Sequence, residues 1–167
     1  MVKLVIFDLD GVLIDSKEFH FEALNLALGK KYEISKKEHL LEYDGLPTIA
    51  KLNLLSEKKG LSKNKFDQIW REKQENTLKI FNESITKDYE LMQYFKQLVD
   101  EDFKIAVASN SIRNTVKIIL LRLGLLEFVD IYVSNEDVLR NKPYPEMYWK
   151  CMIALGALPQ DTVIIED

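Results

Sequence analysis

The stretch LVIFDLDG at residues 4–11 joins a short apolar run to two carboxylates and a glycine. The run is rich in Val and Ile and lacks strict alternation of apolar and polar residues, which predicts a strand covered on both faces. Three further runs of this kind end in polar residues, and they occupy residues 104–108, 129–133 and 163–165. We therefore expect a sheet of buried strands.

Amphipathic stretches lie between the later runs, at Glu90–Val99, Thr115–Leu123 and Tyr144–Leu155. Strands that alternate with helices predict right-handed βαβ crossovers and a parallel sheet. The sequence thus predicts an α/β fold. The carboxyl ends of all strands in such a sheet point to one edge, where ligands bind.

The segment between the first and second predicted strands, residues 16–82, contains no convincing strand. Its apolar pattern predicts four helices, at Ser16–Leu28, Lys36–Glu42, Pro47–Lys59 and Ser62–Phe81. We expect two domains: a discontinuous core of residues 1–15 and 83–167, and a small helical domain of residues 16–82 inserted after the first strand.

Polar side chains follow the predicted strands where each strand ends. Asp8, Asp10, Ser109 and Asp167 are therefore expected to converge at one edge of the sheet. Two carboxylates held together repel each other, and Mg²⁺ relieves this because it prefers oxygen ligands. Gly11 permits a sharp turn directly after Asp10. Taken alone, however, the two aspartates fit an acidic loop at the end of a strand at least as well.

Composition narrows the functional classes. The chain has 167 residues, a net charge of −4 and a pI near 5.3, which argues against a nucleic-acid partner. Cys151 is the one cysteine, so an intrachain disulfide and a multi-cysteine zinc site are excluded. The apolar runs are too short for a signal peptide or a membrane span, so we expect a cytoplasmic protein with no membrane partner.

Four motifs carry a resemblance to a known family. Phe7–Ser16, Val107–Ser111, Lys142-Pro143 and Val163–Asp167 resemble, in order and in spacing, the four motifs of the haloacid-dehalogenase-like hydrolases. The likeness is strongest to the subgroup of phosphoglycolate phosphatases and β-phosphoglucomutases. It implies a Rossmann-like three-layer core and a helical-bundle cap formed by the inserted segment, with hinges near Leu13–Ser16 and Ser84–Tyr89.

The resemblance also implies catalytic roles. Asp8 would attack phosphorus and form an aspartyl-phosphate, while Asp10 would protonate the leaving group and then activate water. Ser109 and Lys142 would hold the phosphoryl oxygens. An acid at position 10 is typical of the family's phosphatases and phosphomutases, whereas dehalogenases do not carry it.

The cofactor implied by the resemblance is Mg²⁺. The side chains of Asp8 and Asp167 and the backbone carbonyl of Asp10 would bind it, and Glu166 would support its water shell. The implied contacts to substrate are Gly11, Asn110, His20 and Lys73. Three of these residues have an alternative. Asn110 would instead cap the following helix, and His20 would be a surface histidine. Lys58, Lys59 or Lys79 would take the place of Lys73.

The resemblance leaves three functional hypotheses. The first is a Mg²⁺-dependent phosphatase for a small phosphorylated metabolite, such as a sugar phosphate. The second is a β-phosphoglucomutase-like mutase, which Thr48 weakens because we would look for an arginine there. The third is an inactive module, since family members continue through a further helix and strand beyond the fourth motif. A truncated core of this kind would be a monomer, or a dimer through an exposed sheet edge.

Overall fold

The computed structural model describes residues 3–44 and 46–167, which form two compact units. The first unit comprises Met1–Ser16 and Phe81–Asp167, and the second comprises Lys17–Ile80. The second unit is therefore inserted in the chain between the first strand and the remainder of the first unit.

The first unit is built on a parallel sheet. Its strands are β1 (Leu4–Phe7), β2 (Lys104–Ala108), β3 (Ile131–Val133) and β4 (Thr162–Ile165). Every strand pair is parallel, and the spatial order is β3-β2-β1-β4. The predicted α/β fold with a parallel sheet is thus confirmed.

Seven α-helices accompany the strands among the described residues. Their bounds are α1 (Lys17–Tyr32), α2 (Lys36–Glu38), α3 (Thr48–Lys59), α4 (Phe66–Ser84), α5 (Tyr89–Asp100), α6 (Arg113–Leu123) and α7 (Glu146–Leu155). None of the described helices is both long enough and apolar enough to cross a membrane.

The register of β1 aligns the polar strand ends. Phe7 lies opposite Val107 of β2 on one side and opposite Ile165 of β4 on the other. All four residues of β1 are buried, and the ring of Phe7 stacks on that of Phe95 from α5 at 4.8 Å between centroids. The residues that follow β1, β2 and β4 therefore leave the sheet at the same edge, directly beside a packed core.

Several predicted bounds differ from the structure; α1, for example, ends at Tyr32 rather than at Leu28. Strand β3 begins at Ile131 rather than at residue 129, because the 3₁₀ turn Leu126–Phe128 precedes it and Val129 is the residue that caps this turn. Helix α4 begins at Phe66 rather than at Ser62, since a 3₁₀ turn at Lys63–Lys65 precedes it. The predicted helix over residues 36–42 divides into the short α2 and a π-helical turn at His39–Tyr43.

The helical unit has an apolar core of its own. Large side chains from α1, α3 and α4 meet there, including Leu28, Leu52, Leu55 and Ile69. Gly29 interrupts α1 with φ 64° and ψ 171°, a backbone conformation that favours glycine. Burial of this separate core explains how the inserted segment forms a compact unit.

Strand β4 lies at one edge of the sheet that the described residues form. It pairs with β1, and the side chains of Val163 and Ile164 are each 41% exposed. The strand that delivers the last acidic motif is thus less covered than β1, whose residues are almost fully buried.

Candidate active site

Asp8 is the first residue after β1, and it is held in place by both its backbone and its side chain. Its backbone N–H donates to the carbonyl of Ile165 at 2.9 Å. Its side chain is 12% exposed, and Nζ of Lys142 donates to its Oδ1 at 2.7 Å. Burial raises the pKa of Asp8, whereas the hydrogen bond and the charge of Lys142 oppose that rise. The ammonium group thus supports a buried carboxylate that faces the edge of the sheet.

Asp10 accepts hydrogen bonds from three serine hydroxyls. Oγ of Ser16 donates to Oδ1, while Ser109 and Ser111 donate to Oδ2 at 3.4 and 3.2 Å. Oγ of Ser109, which is fully buried, also accepts the backbone N–H of Ser111 at 3.0 Å. These donors fix the orientation of the Asp10 carboxyl group. Sequence reasoning identified Ser109 but missed Ser16 and Ser111, although both lie inside the quoted motifs.

Three carboxylates meet at the ends of β1 and β4. Ligand oxygens of Asp8, Glu166 and Asp167 all lie within 4.8 Å of one another. Among the ion pairs of the described residues, Lys142 is the cation that contacts this group, through Asp8 and Glu166. An all-oxygen donor set with more negative than positive charge fits Mg²⁺. Asp10, predicted to bind through its backbone carbonyl, is not part of this side-chain group.

Gly11 makes room for Asp167. It adopts φ +90°, and a Cβ atom added there would lie 2.3 Å from Oδ2 of Asp167 and 2.6 Å from its Cγ. Such contacts are far shorter than van der Waals distance, so a side chain at position 11 would displace the Asp167 carboxyl group. Glycine is therefore required both by the backbone and by the neighbouring carboxylate.

We expect Gly11→Ala to weaken Mg²⁺ binding by about tenfold or more, because it moves a carboxylate of the metal group. Gly156→Ala is the matched control: Gly156 also has positive φ, at +63°, but a Cβ there would meet nothing within 4 Å. Titrating Mg²⁺ while following the melting temperature measures both affinities. Equal Mg²⁺ affinities of the two variants would contradict the role of Gly11 in placing Asp167.

Lys142 is fixed by contacts of its backbone as well as its side chain. Its N–H donates to Oδ1 of Asn110 at 3.0 Å, and its carbonyl accepts from Nδ2 of the same residue at 3.4 Å. Asn110 thus ties the loop after β2 to the loop that carries Lys142. The Lys142-Pro143 peptide bond is cis.

Tyr148, in the first turn of α7, contacts the same group and was missed by the sequence reasoning. Its hydroxyl donates to Oε1 of Glu166, which also accepts from Nζ of Lys142 at 2.8 Å. Nζ of Lys142 lies 5.4 Å from the centroid of the Tyr148 ring. Burial and the hydrogen bond to Glu166 raise the pKa of Tyr148, so its hydroxyl retains the proton it donates.

His20 and Lys73 belong to the helical unit, where they contact each other. Nζ of Lys73 lies 3.2 Å from Nδ1 of His20, and Lys73 is 9% exposed. Thr48 is the first residue of α3, and Gly45 lies outside the described residues. Lys51 follows one turn later; burial lowers its pKa and the charge of Asp44 opposes this.

Comparison with known proteins identifies the family. The family model described as haloacid dehalogenase-like hydrolase matches residues 5–167. The chain belongs to the haloacid dehalogenase-like hydrolases. The matched range includes Asp8 and Asp167 of the carboxylate group, together with Lys142.

Two curated relatives are phosphatases by name. The chain is 25% identical to pyrophosphatase PpaX of Oceanobacillus iheyensis over 167 residues, which cover 99% of this chain and 75% of the relative. It is 26% identical to the phosphorylated carbohydrates phosphatase of Thermotoga maritima over 169 residues, covering 99% and 76%.

Solved structures share the fold. β-Phosphoglucomutase from Clostridium difficile superposes with a TM-score of 0.77 at 26% identity, covering 100% of this chain and 77% of that chain. CbbY from Rhodobacter sphaeroides, solved with phosphate, gives a TM-score of 0.81 at 23% identity and covers 100% and 78%. The fold predicted from the motifs is therefore the fold of this family.

Proposed function

We propose that the chain is a Mg²⁺-dependent phosphatase that hydrolyses a small phosphorylated metabolite through an aspartyl-phosphate at Asp8. The observation that carries the proposal is the pairing of two differently held carboxylates at one sheet edge. Asp8 contacts an ammonium group at 2.7 Å, whereas Asp10 accepts from three hydroxyls. The lysine orients a carboxylate that serves as nucleophile, and the three hydroxyls orient the carboxyl group that serves as general acid and base.

In the first step, a carboxylate oxygen of Asp8 attacks phosphorus, and the bond between phosphorus and the leaving oxygen breaks. Asp10, protonated at that point, gives its proton to the leaving oxygen, so that an alcohol departs. Lys142, whose Nζ lies 2.7 Å from Oδ1 of Asp8, would offset the negative charge of the attacked phosphoryl group. The product of this step is an acyl phosphate on Asp8.

In the second step, Asp10 removes a proton from water, and the water oxygen attacks phosphorus. The bond between phosphorus and the Asp8 oxygen breaks, which releases phosphate and returns Asp8 to a carboxylate and Asp10 to its acid form. Mg²⁺ bound by Asp8 and Asp167 would neutralise the phosphoryl oxygens in both steps. Ser109 is proposed to contact the phosphoryl group, and His20, Lys73, Asn110 and Gly11 the rest of the substrate.

The substrate class follows from the relatives at the level of small phosphate compounds. A phosphorylated carbohydrate and pyrophosphate are the substrates named for two of them. We propose a sugar phosphate, because an ester leaving group needs the proton that Asp10 supplies.

A phosphomutase is the second candidate, favoured by the structural likeness to β-phosphoglucomutase. Thr48 argues against it, since a second phosphate group is normally held by a cationic side chain. Product analysis separates the two activities: hydrolysis releases inorganic phosphate, whereas a mutase yields an isomeric sugar phosphate.

The test is a panel of sugar phosphates, p-nitrophenyl phosphate and pyrophosphate, assayed with Mg²⁺ or with EDTA. We expect phosphate release that requires Mg²⁺ and favours the esters. An isomeric product without phosphate release would contradict hydrolysis, and equal rates in EDTA would contradict the metal requirement.

A further inference from the structure

Tyr148 contacts one member of the carboxylate group, Glu166, and also the ammonium group of Lys142 that is paired with it. Its hydroxyl donates to Oε1 of Glu166, and its ring lies 5.4 Å from Nζ of Lys142. Nζ in turn lies 2.7 Å from Oδ1 of Asp8 and 2.8 Å from Oε1 of Glu166. A single side chain thus touches both the ammonium group and the acid that shares it with Asp8.

Helix α7 delivers Tyr148 to this position. Met147 and Cys151 are fully buried in the core cluster that includes Leu4 and Ile6, which anchors the first turns of the helix. Glu146, the first residue of α7, accepts the backbone N–H groups of Leu139 and Arg140. The loop that carries Lys142 is therefore tied to the same helix that presents Tyr148.

Two hydrogen bonds fix the orientation of the Glu166 carboxylate. Oε1 accepts from both the Tyr148 hydroxyl and the Lys142 ammonium group, so its electron density is largely engaged by donors. Two donors on one oxygen restrict the rotation of the Glu166 carboxyl group and hold it in one orientation.

The position of the ammonium group follows from the same contacts. Glu166, the Tyr148 ring and Asp8 all attract Nζ of Lys142. If the hydroxyl is lost, Oε1 of Glu166 keeps the lysine but loses the donor that fixes it to α7, so its carboxyl group is held less firmly beside the lysine. The ammonium group then pairs more closely with Asp8 and competes with a cation for that carboxylate.

We propose that Tyr148 is a positioning residue: it orients Glu166 and Lys142, and thereby keeps Asp8 available to the metal ion and to the substrate. The inference rests on the proposed function for its catalytic part. Its metal-binding part stands on the geometry of Glu166, Lys142 and Asp8.

The test compares Tyr148→Phe, which keeps the ring and removes the hydroxyl, with wild type and with Tyr89→Phe. Tyr89 is 74% exposed at the start of α5 and serves as the matched control. The Mg²⁺ dissociation constant is measured without substrate, from the rise of the melting temperature with Mg²⁺ concentration. Values of kcat and KM are measured with p-nitrophenyl phosphate.

We expect Tyr148→Phe to raise the Mg²⁺ dissociation constant about tenfold and to lower kcat by a similar factor. In a Glu166→Ala background, the same change should have little further effect, because the residue through which Tyr148 acts is gone. Such coupling is a readout that a purely structural role would not produce.

Two outcomes would overturn the inference: an unchanged Mg²⁺ dissociation constant in Tyr148→Phe, or equal effects with and without Glu166. The first of these holds even if the variant has a lower melting temperature, because a change in stability alone would show a packing role only. If wild type released no phosphate, the proposed function would fail, and the Mg²⁺ affinities would still decide the role of Tyr148.

Discussion

Asp8→Asn is expected to lower phosphate release by about 10⁴-fold or more, the scale seen when a covalent nucleophile is removed. The amide of asparagine cannot attack phosphorus, and it gives Lys142 only a neutral oxygen in place of the carboxylate it contacts at 2.7 Å. Because asparagine is nearly the same size as aspartate, the buried position after β1 should tolerate it. Steady-state kinetics with a sugar phosphate and with p-nitrophenyl phosphate measure the loss.

The control for Asp8→Asn is Asp100→Asn, an exposed aspartate at the end of α5 that pairs with Lys96. It should retain activity within about twofold, as surface substitutions usually do. Melting temperatures of both variants establish that they fold. Residual activity of Asp8→Asn near the wild-type level would exclude covalent catalysis through this residue.

Asp10→Asn has the second largest expected effect, a loss of about 10²–10⁴-fold in kcat, because general acid–base catalysis contributes this much. The loss should depend on the leaving group. Nitrophenolate departs without a proton, so the first step with p-nitrophenyl phosphate should stay fast while the second step, which needs water activation, becomes slow. We expect a burst of nitrophenolate followed by slow turnover.

A sugar phosphate should show no such burst with Asp10→Asn, since its alkoxide leaving group needs the proton. Stopped-flow absorbance detects the burst, and Asp100→Asn, on the surface of α5 in an ion pair with Lys96, is the control. Equal losses for both esters in the steady state, without a burst, would contradict the assignment of Asp10 to both proton transfers.

Much of the fold was predictable from the sequence because the strands are buried. The runs at 4–7 and 104–108 consist mainly of apolar residues, and the structure places β1 and β2 at these positions. The polar residues directly after them then had to lie at one edge of a parallel sheet. The start of α4 at Phe66 was not predictable, because Ser62 is as good a helix start as it is a start for a 3₁₀ turn.

The contacts around the carboxylates were less predictable. That Ser16 and Ser111 both donate to Asp10 depends on side-chain directions in two loops that sequence periodicity does not specify. Tyr148 lies six residues beyond Lys142, next to the buried Met147, and a prediction from the sequence would treat it as a packing residue. Its hydroxyl contacts Glu166, the residue that follows β4, and the two residues are far apart in the sequence.

The covalent intermediate tests the account most directly. Protein mixed with Mg²⁺ and a sugar phosphate, quenched in acid within one turnover and digested, is examined by peptide mass spectrometry. We predict one added phosphoryl group on the peptide that contains Asp8, absent from samples with EDTA and from Asp8→Asn. Full phosphate release with no phosphorylated peptide, or a phosphoryl group on another residue, would contradict catalysis through Asp8.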